Sequence, residues 1–496
     1  MGHPTIYPTG VTIFNKDKAS NGYTIYPSGK GALLIDMNGN EVQLWAGLAG
    51  FPNKILPGGY VFGSTGTRNG KYGYQDQTDL VQVDFEGNIV WKFNQTEEIS
   101  DPGSEPTYMA RQHHDYQREG SSVGYYGPYE KPLVDQGNTL ILVHEEVLNL
   151  KISDKKLLDD KIIEVDWEGN IVWEWRASDH FDEFGFDEYA KNVLFRNPSI
   201  VSNGLGDWMH INSMSTLGQN KWYDAGDERF HPDNIIFDAR NTNILGIISK
   251  ATGEIVWQIG PNYDTNEKLK KLGWIIGQHH FHMIPKGLPG AGDLLVYDNG
   301  GAAGYGAPNP ASPFGVRNAV RDYSRVLQID PLTLEITWQY TPDEAGHVLF
   351  ADGSKFYSPY ISGAQRLENG NTLITQGSDG RVFEVTADHE IVWEFINPYY
   401  NNITPSHTTN MVYRAYRVPY NWVPQLELPT EVSIEPIDVT KFRVPNASIG
   451  EGTGKVTTIE GVDANKITIT GTSAGEDNEG PANFCIVALD DTSIKS

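Results

Sequence analysis

A single cysteine cannot form an internal disulfide. Cys485 stands alone among 496 residues, so the redox compartment stays open. No apolar run approaches the ~18 residues that a membrane-spanning helix needs, and no membrane partner is expected. Positive charge is scarce: 38 Lys and Arg face 64 Asp and Glu, for a formal net charge of −26. No basic cluster is longer than a pair, so the basic face that phosphate binding needs is missing and nucleic acid is not an expected partner. The acidity reads as solubility. Long helical periodicity is also absent. Only residues 263–276 carry a short helix pattern, with Asp264, Thr265 or Asn266 as its cap. The first residues, MGHPTIYP, do not form a secretory leader. The expected location is cytoplasmic, or periplasmic or secreted if a leader was removed.

Glycine, tyrosine and tryptophan are plentiful, at 52, 25 and 12 residues, as suits a turn-rich all-β protein. A length of 496 residues with 39% apolar content allows a sizeable core. One phrase recurs six times. Its clearest copies are LVQVDFEGNIVWKF at 80–93 and IIEVDWEGNIVWEW at 162–175; weaker ones end at Trp45, Trp257, Trp338 and Trp393. Each copy reads as a β-hairpin: an apolar strand, an Asp, a Gly/Asn-type turn, and a second strand that ends on Trp. Further strands introduced by Gly turns lie at 56–62, 135–143, 290–297 and 368–375, with another at 234–239. A unit of about four strands repeated radially is a propeller blade.

The Trp spacings are 46, 82, 84, 81 and 55 residues. A plain blade needs ~40–50 residues, so the three long intervals carry insertions, at 94–134, 176–232 and 258–290. The expected fold is all-β: a six-bladed β-propeller over 31–425, preceded by an extended arm over 1–30 and followed by a small C-terminal β module over 426–496. Residues 410–417 alternate as a strand able to close the ring against the first blade. The glycine-rich stretch at 300–315 superficially resembles a phosphate loop, but no helix pattern follows it.

The insertions concentrate histidine: Gln-His-His-Asp at 112–115, Asp-Trp-Met-His-Ile-Asn-Ser-Met at 207–214 and Gln-His-His-Phe-His-Met at 278–283. Arg240 follows a buried-type strand. Histidines converging on a propeller axis are able to bind a metal or to build an anion site in which one is the nucleophile. His279, His280, His282 and Asp115 offer metal ligands, yet their spacing fits no established zinc motif, so no metal and no cofactor is expected.

These motifs resemble the bacterial PAPS-independent aryl-sulfate sulfotransferases over about residues 5–420. The resemblance rests on His113-His114-Asp115, His210-Ile211-Asn212-Ser213, Arg240 after its strand, and Gln278-His279. It implies a six-bladed propeller that passes a sulfuryl group from an aryl sulfate to a phenol through a sulfohistidine. His279 then resembles the nucleophile, with His210, Arg240 and His114 completing the catalytic set. Asn212, His113, His280 and Asn241 are the expected substrate-binding residues. Two positions depart from the family pattern. Asn241 stands where a histidine often follows the arginine. His280 stands where a carboxylate often follows the Gln-His pair, leaving the nucleophile without that orienting group. Two other classes stay open: a propeller without catalysis that binds or assembles, and a quinoprotein-like propeller suggested by the docking-type repeat at 251–260. Homo-oligomerisation is left open.

Overall fold

A computed structural model of the chain describes residues 8–199, 204–301, 303, 305, 321–404, 407–438, 445–446, 460, 467–469 and 487–489. Six antiparallel sheets succeed one another along it as the blades of a propeller. The inner strands are Tyr416–Val418 in blade 1, Ala49–Leu56 in blade 2 and Gln112–Arg118 in blade 3. Ile211–Thr216, His279–Met283 and Gly363–Arg366 serve blades 4, 5 and 6.

The recurring phrase forms the outer hairpin of each blade, and its chemistry is visible in the clearest copies. The Asp carboxylate accepts both the backbone and side-chain N–H groups of the Asn four residues on. This holds for Asp36 and Asn40, Asp84 and Asn88, and Asp166 and Asn170. The glycine between them (Gly39, Gly87, Gly169) has φ of +84 to +88°, which a Cβ would strain. The Trp then reaches out of its own blade. Trp45 donates its indole N–H to Asp84 O, Trp91 to Trp167 O and Trp173 to Lys250 O. Trp257 donates to Pro331 O, Trp338 to Ala387 O and Trp393 to Met37 O. Each acceptor lies in the hairpin turn of the next blade, so the phrase latches the ring all the way round. The 251–260 stretch is one of these outer hairpins, in blade 4.

The ring closes at a seam crossed by both ends of the chain. Tyr416–Val418 pairs with Tyr23–Ile25 as the inner strand of blade 1. Gly10–Phe14 adds a fifth strand to blade 6 beside Ile391–Ile396. The expected arm at 1–30 is therefore corrected: its strands Gly10–Phe14 and Tyr23–Ser28 are parts of two blades, because Phe14, Tyr23 and Ile25 must be buried and the seam supplies the cover. The closing strand is also shorter than the expected 410–417. At the C-terminal side the propeller unit runs to Ile437 rather than 425. The extra length is held by Ile434, whose carbonyl accepts the Phe14 N–H at 2.8 Å. In the second unit, Asp438–Ser496, the described strands Ile467–Ile469 and Val487–Leu489 pair antiparallel; most of the expected C-terminal module lies outside the described residues, as does most of the glycine-rich stretch. The expected helix is Glu267–Leu272, and Asn266 is its cap, accepting the Leu269 N–H at 3.0 Å.

Candidate active site

All three histidine-bearing insertions contain an inner strand, and the histidines near its start arrive at the same end of the ring. A cavity of about 170 Å³ opens there. It takes one residue from near the start of each inner strand: Tyr413, Phe51, His114, His210, His279 and Ile361, in blade order. Tyr74, Gln75, Arg240 and Tyr360 complete the wall. The backbone beside them is bent. His114, His210, His280 and Ile361 have φ of +53 to +55°, where a side chain costs ~1–3 kcal/mol. The inner-strand register shifts between Gln112 and Tyr116, Ile211 and Ser213, and His279 and His282. Such bulges re-aim side chains near sites.

The ring of His279 is held in one tautomer. Asn299 Nδ2 donates to Ser358 O and Ile361 O, at 2.7 and 2.8 Å, so Asn299 Oδ1 is the atom facing His279 Nδ1 at 2.8 Å. An amide oxygen only accepts, so Nδ1 carries the proton and Nε2 the lone pair. That lone pair accepts the Ile361 N–H at 3.1 Å. Burial, helped by the nearby Arg240 cation, holds the imidazole well below its ordinary pKa, so it is neutral.

His210 Nδ1 lies 2.6 Å from Asp207 Oδ2. Burial alone would raise the Asp207 carboxyl, but His210 holds it below the ordinary range, so the carboxylate is the acceptor. Arg240, half-buried with its free face on the cavity, has no carboxylate within 4.0 Å among the described residues; its Nη1 donates to Asn241 Oδ1 at 3.1 Å. Asn241 in turn donates to Asp207 O at 3.0 Å. His114 packs its ring 4.6 Å from that of His210 and has its Nδ1 2.7 Å from His113 Nδ1. Burial keeps both His113 and His114 neutral, well below the usual histidine range.

The cavity thus brings together His279, His210, Arg240 and His114, the expected catalytic set. The four expected substrate-binding residues do not line it. Asn212 spends its amide on Gln278 O at 2.9 Å, and Asn241 braces Arg240. His113 lies behind His114. Strand alternation turns His280 away from the cavity, where Ala364 N–H and Tyr416 OH meet its two nitrogens at 3.3 and 3.4 Å. His282 faces Tyr125 OH at 2.8 Å, and Asp115 is taken by Lys54 and Arg414, so that quartet of potential ligands is dispersed among protein partners. The group that orients His279 is present after all, as Asn299. It sits 20 residues on, at the end of an apolar strand, where a polar Asp298-Asn299 pair before two glycines was the available signal. Tyr74, Gln75, Tyr360, Tyr413 and Phe51 carry no comparable signal.

The fold and site define a six-bladed propeller with an axial cavity lined by three imidazoles and one arginine. The arylsulfotransferase (ASST) family model matches residues 63–414, a span that holds every cavity residue except Phe51, and the chain belongs to that family. Membership makes it an aryl sulfotransferase, with aryl sulfates and phenols as the implied substrates. Among curated proteins, none matches the sequence. Similar solved structures include a Bacteroides caccae protein of unknown function, at 11% identity and TM-score 0.39, covering 80% of this chain and 99% of that one. Virginiamycin B lyase from Staphylococcus aureus is 12% identical with TM-score 0.30, covering 79% and 88%. A putative 6-phosphogluconolactonase from Bacteroides fragilis is 11% identical with TM-score 0.31, covering 82% and 99%. Likenesses this low carry no argument about activity, and the blade count rests on the chain's own sheets.

Proposed function

We propose that the chain transfers a sulfuryl group from an aryl sulfate to a phenol in two half-reactions, with His279 as the covalent carrier. The observation that carries this reading is the fixed lone pair on His279 Nε2, which shares a cavity with an arginine that has no carboxylate within 4.0 Å among the described residues. In the first half, the Ile361 N–H contact opens and the lone pair forms an N–S bond as the S–O(aryl) bond breaks. The electron pair leaves with the aryloxide. Nδ1–H stays on Asn299 Oδ1, which steadies the charged ring. Arg240 and His114 face the sulfuryl oxygens, where fixed donors in a dry site stabilise developing charge. In the second half, the phenol oxygen attacks sulfur, the N–S bond breaks and the lone pair returns to Nε2. His210, held by Asp207, takes the phenolic proton and returns it to the next departing aryloxide.

The test is transfer from phenyl sulfate to a phenol without PAPS, followed by mass spectrometry of enzyme given donor alone. The expected result is a mass gain of one SO₃ group on the peptide carrying His279, and no transfer by His279→Asn. Full activity in that variant would mean the nucleophile lies elsewhere.

A further inference from the structure

Behind His114 lies a second polar cluster that sulfuryl transfer does not use. His113, His144 and Asp160 are fully buried, and each presents one atom, Nε2, Nε2 and Oδ1, with no hydrogen-bond partner. The three residues offer ligand atoms that lie within 4.8 Å of one another. His113 Nε2 is 3.3 Å from Asp160 Oδ1, and His144 Nε2 is 3.8 Å from it. Two atoms each ~2.0–2.1 Å from a tetrahedral zinc stand about 3.3 Å apart, so the shorter separation is a ligand–ligand edge.

We propose that His113, His144 and Asp160 form a binding site for a divalent transition ion of the zinc class. Their other atoms are committed in the way metal ligands require. His144 Nδ1 lies 2.7 Å from Asp76 Oδ1. Asp76 is clamped by Arg111 and Arg68 at 2.9 and 3.2 Å. Both guanidiniums sit on Asp76 Oδ2, which leaves Oδ1 to accept the His144 Nδ1–H. Nε2 of His144 is then a lone pair. A ligating imidazole with its far N–H on a carboxylate is the usual outer support of a metal site. Asp160 Oδ2 accepts the Ile211 N–H at 3.0 Å, leaving Oδ1 as the free donor. Neutral imidazoles with a carboxylate suit zinc and its neighbours. Leaving such atoms buried and unpaired is costly, and an ion would offset that cost.

The His113 and His144 rings stack at 3.5 Å with planes 12° apart, so an ion lying in both ring planes requires one ring to tilt. His144 is pinned to Asp76, so His113 turns. His113 is also the ring whose Nδ1 meets His114 Nδ1. With an ion on its Nε2, His113 keeps its proton on Nδ1 and donates it to His114 Nδ1. His114 then holds its own proton on Nε2, the nitrogen left for the cavity. The ion would therefore set His114 as a donor to the sulfuryl oxygens. That last consequence rests on the sulfuryl-transfer reading; the ion site does not.

The test uses the full chain without an affinity tag, stripped with chelator and titrated with Zn²⁺ by calorimetry and with Co²⁺ by visible absorption. One equivalent of uptake is expected, with a rise in melting temperature. Asp160→Asn and His144→Gln should each weaken uptake at least tenfold. If either variant fails to fold, the Co²⁺ spectrum of the unaltered chain decides: tetrahedral nitrogen and oxygen ligation supports the site, and its absence overturns it. No stoichiometric uptake, or an Asp160→Asn protein that binds as tightly as its parent, also overturns it. Uptake without sulfuryl transfer would leave the ion site standing and sink the function reading; transfer without uptake would do the reverse.

Discussion

Trp393 in the last blade donates its indole N–H to the carbonyl of Met37 in the first, at 2.8 Å, with both residues fully buried. Five of the Trp latches join blades that also follow one another in the chain. This one spans the seam, where the chain crosses only through its two terminal strands. The latch is therefore where the repeat phrase contributes to closure rather than to a single blade.

Trp393→Phe should leave the Met37 carbonyl buried without its donor and cost ~1–3 kcal/mol. Trp338→Phe removes the same bond at a half-buried position, to Ala387 O at 3.1 Å, and should cost less than ~1 kcal/mol. Urea unfolding of both variants measures the difference. Equal losses would remove the special status of the seam.

Asn299→Ala should free the His279 ring to populate both tautomers. Losing one buried hydrogen bond of ~1–3 kcal/mol corresponds to a fall in kcat of roughly 10- to 100-fold. The KM for the aryl sulfate should change little, since Asn299 does not line the cavity. Nitrogen NMR of the labelled ring reports the tautomer directly. A variant that keeps the proton on Nδ1 and yet loses activity would argue against an orienting role.

Arg240→Gln should lower kcat by about 10²–10³-fold, the usual effect of removing one fixed donor from developing negative charge. Asn241→Ala, which removes only the brace on that arginine, should lower it less. Steady-state kinetics with phenyl sulfate separates the two. An Asn241→Ala loss as large as that of Arg240→Gln would move the key role from the cation to its support.

Asp238 gives a pH dependence of stability. Its Oδ2 accepts from Ser213 Oγ–H and Phe281 N–H at 2.7 and 3.1 Å, yet burial pushes the carboxyl from 3.8 up to about 7. The folded chain holds a proton that the unfolded chain has lost between those values. This contribution is complete below about pH 4 and is lost as pH rises toward 7. Asp238→Asn cannot titrate, so its melting temperature relative to the parent should rise between pH 5 and pH 8. A difference that stays constant across that range counts against the assignment.

Much of the fold is legible because the phrase is local. Asp84, Gly87, Asn88 and Trp91 lie within one hairpin, and each signals a turn or a strand end through its own side-chain chemistry. The meeting of His114, His210 and His279 was legible for a related reason: each of the three insertions contains a histidine-bearing segment, and closure of the ring brings those segments to one cavity. The position of His280 was not legible, because a single residue of alternation decides the face. His279 and His280 are neighbours, and only one of them meets the cavity.

By itself the sequence determined the blade count, the all-β class and the three insertions that hold the clustered histidines, because these follow from period, turn chemistry and insertion length. Only the tertiary structure decided which histidine keeps a usable lone pair and which atoms are left without partners. Asn299 reaches His279 from 20 residues away, and Asp160 reaches His113 from a neighbouring part of the same blade. The left-handed backbone at His114, His210 and Ile361 lies beside those pairings and is likewise set by the folded ring. Contacts set by how strands pack and bulge around an axis have no local cause in the sequence, and so they became visible only in the folded ring.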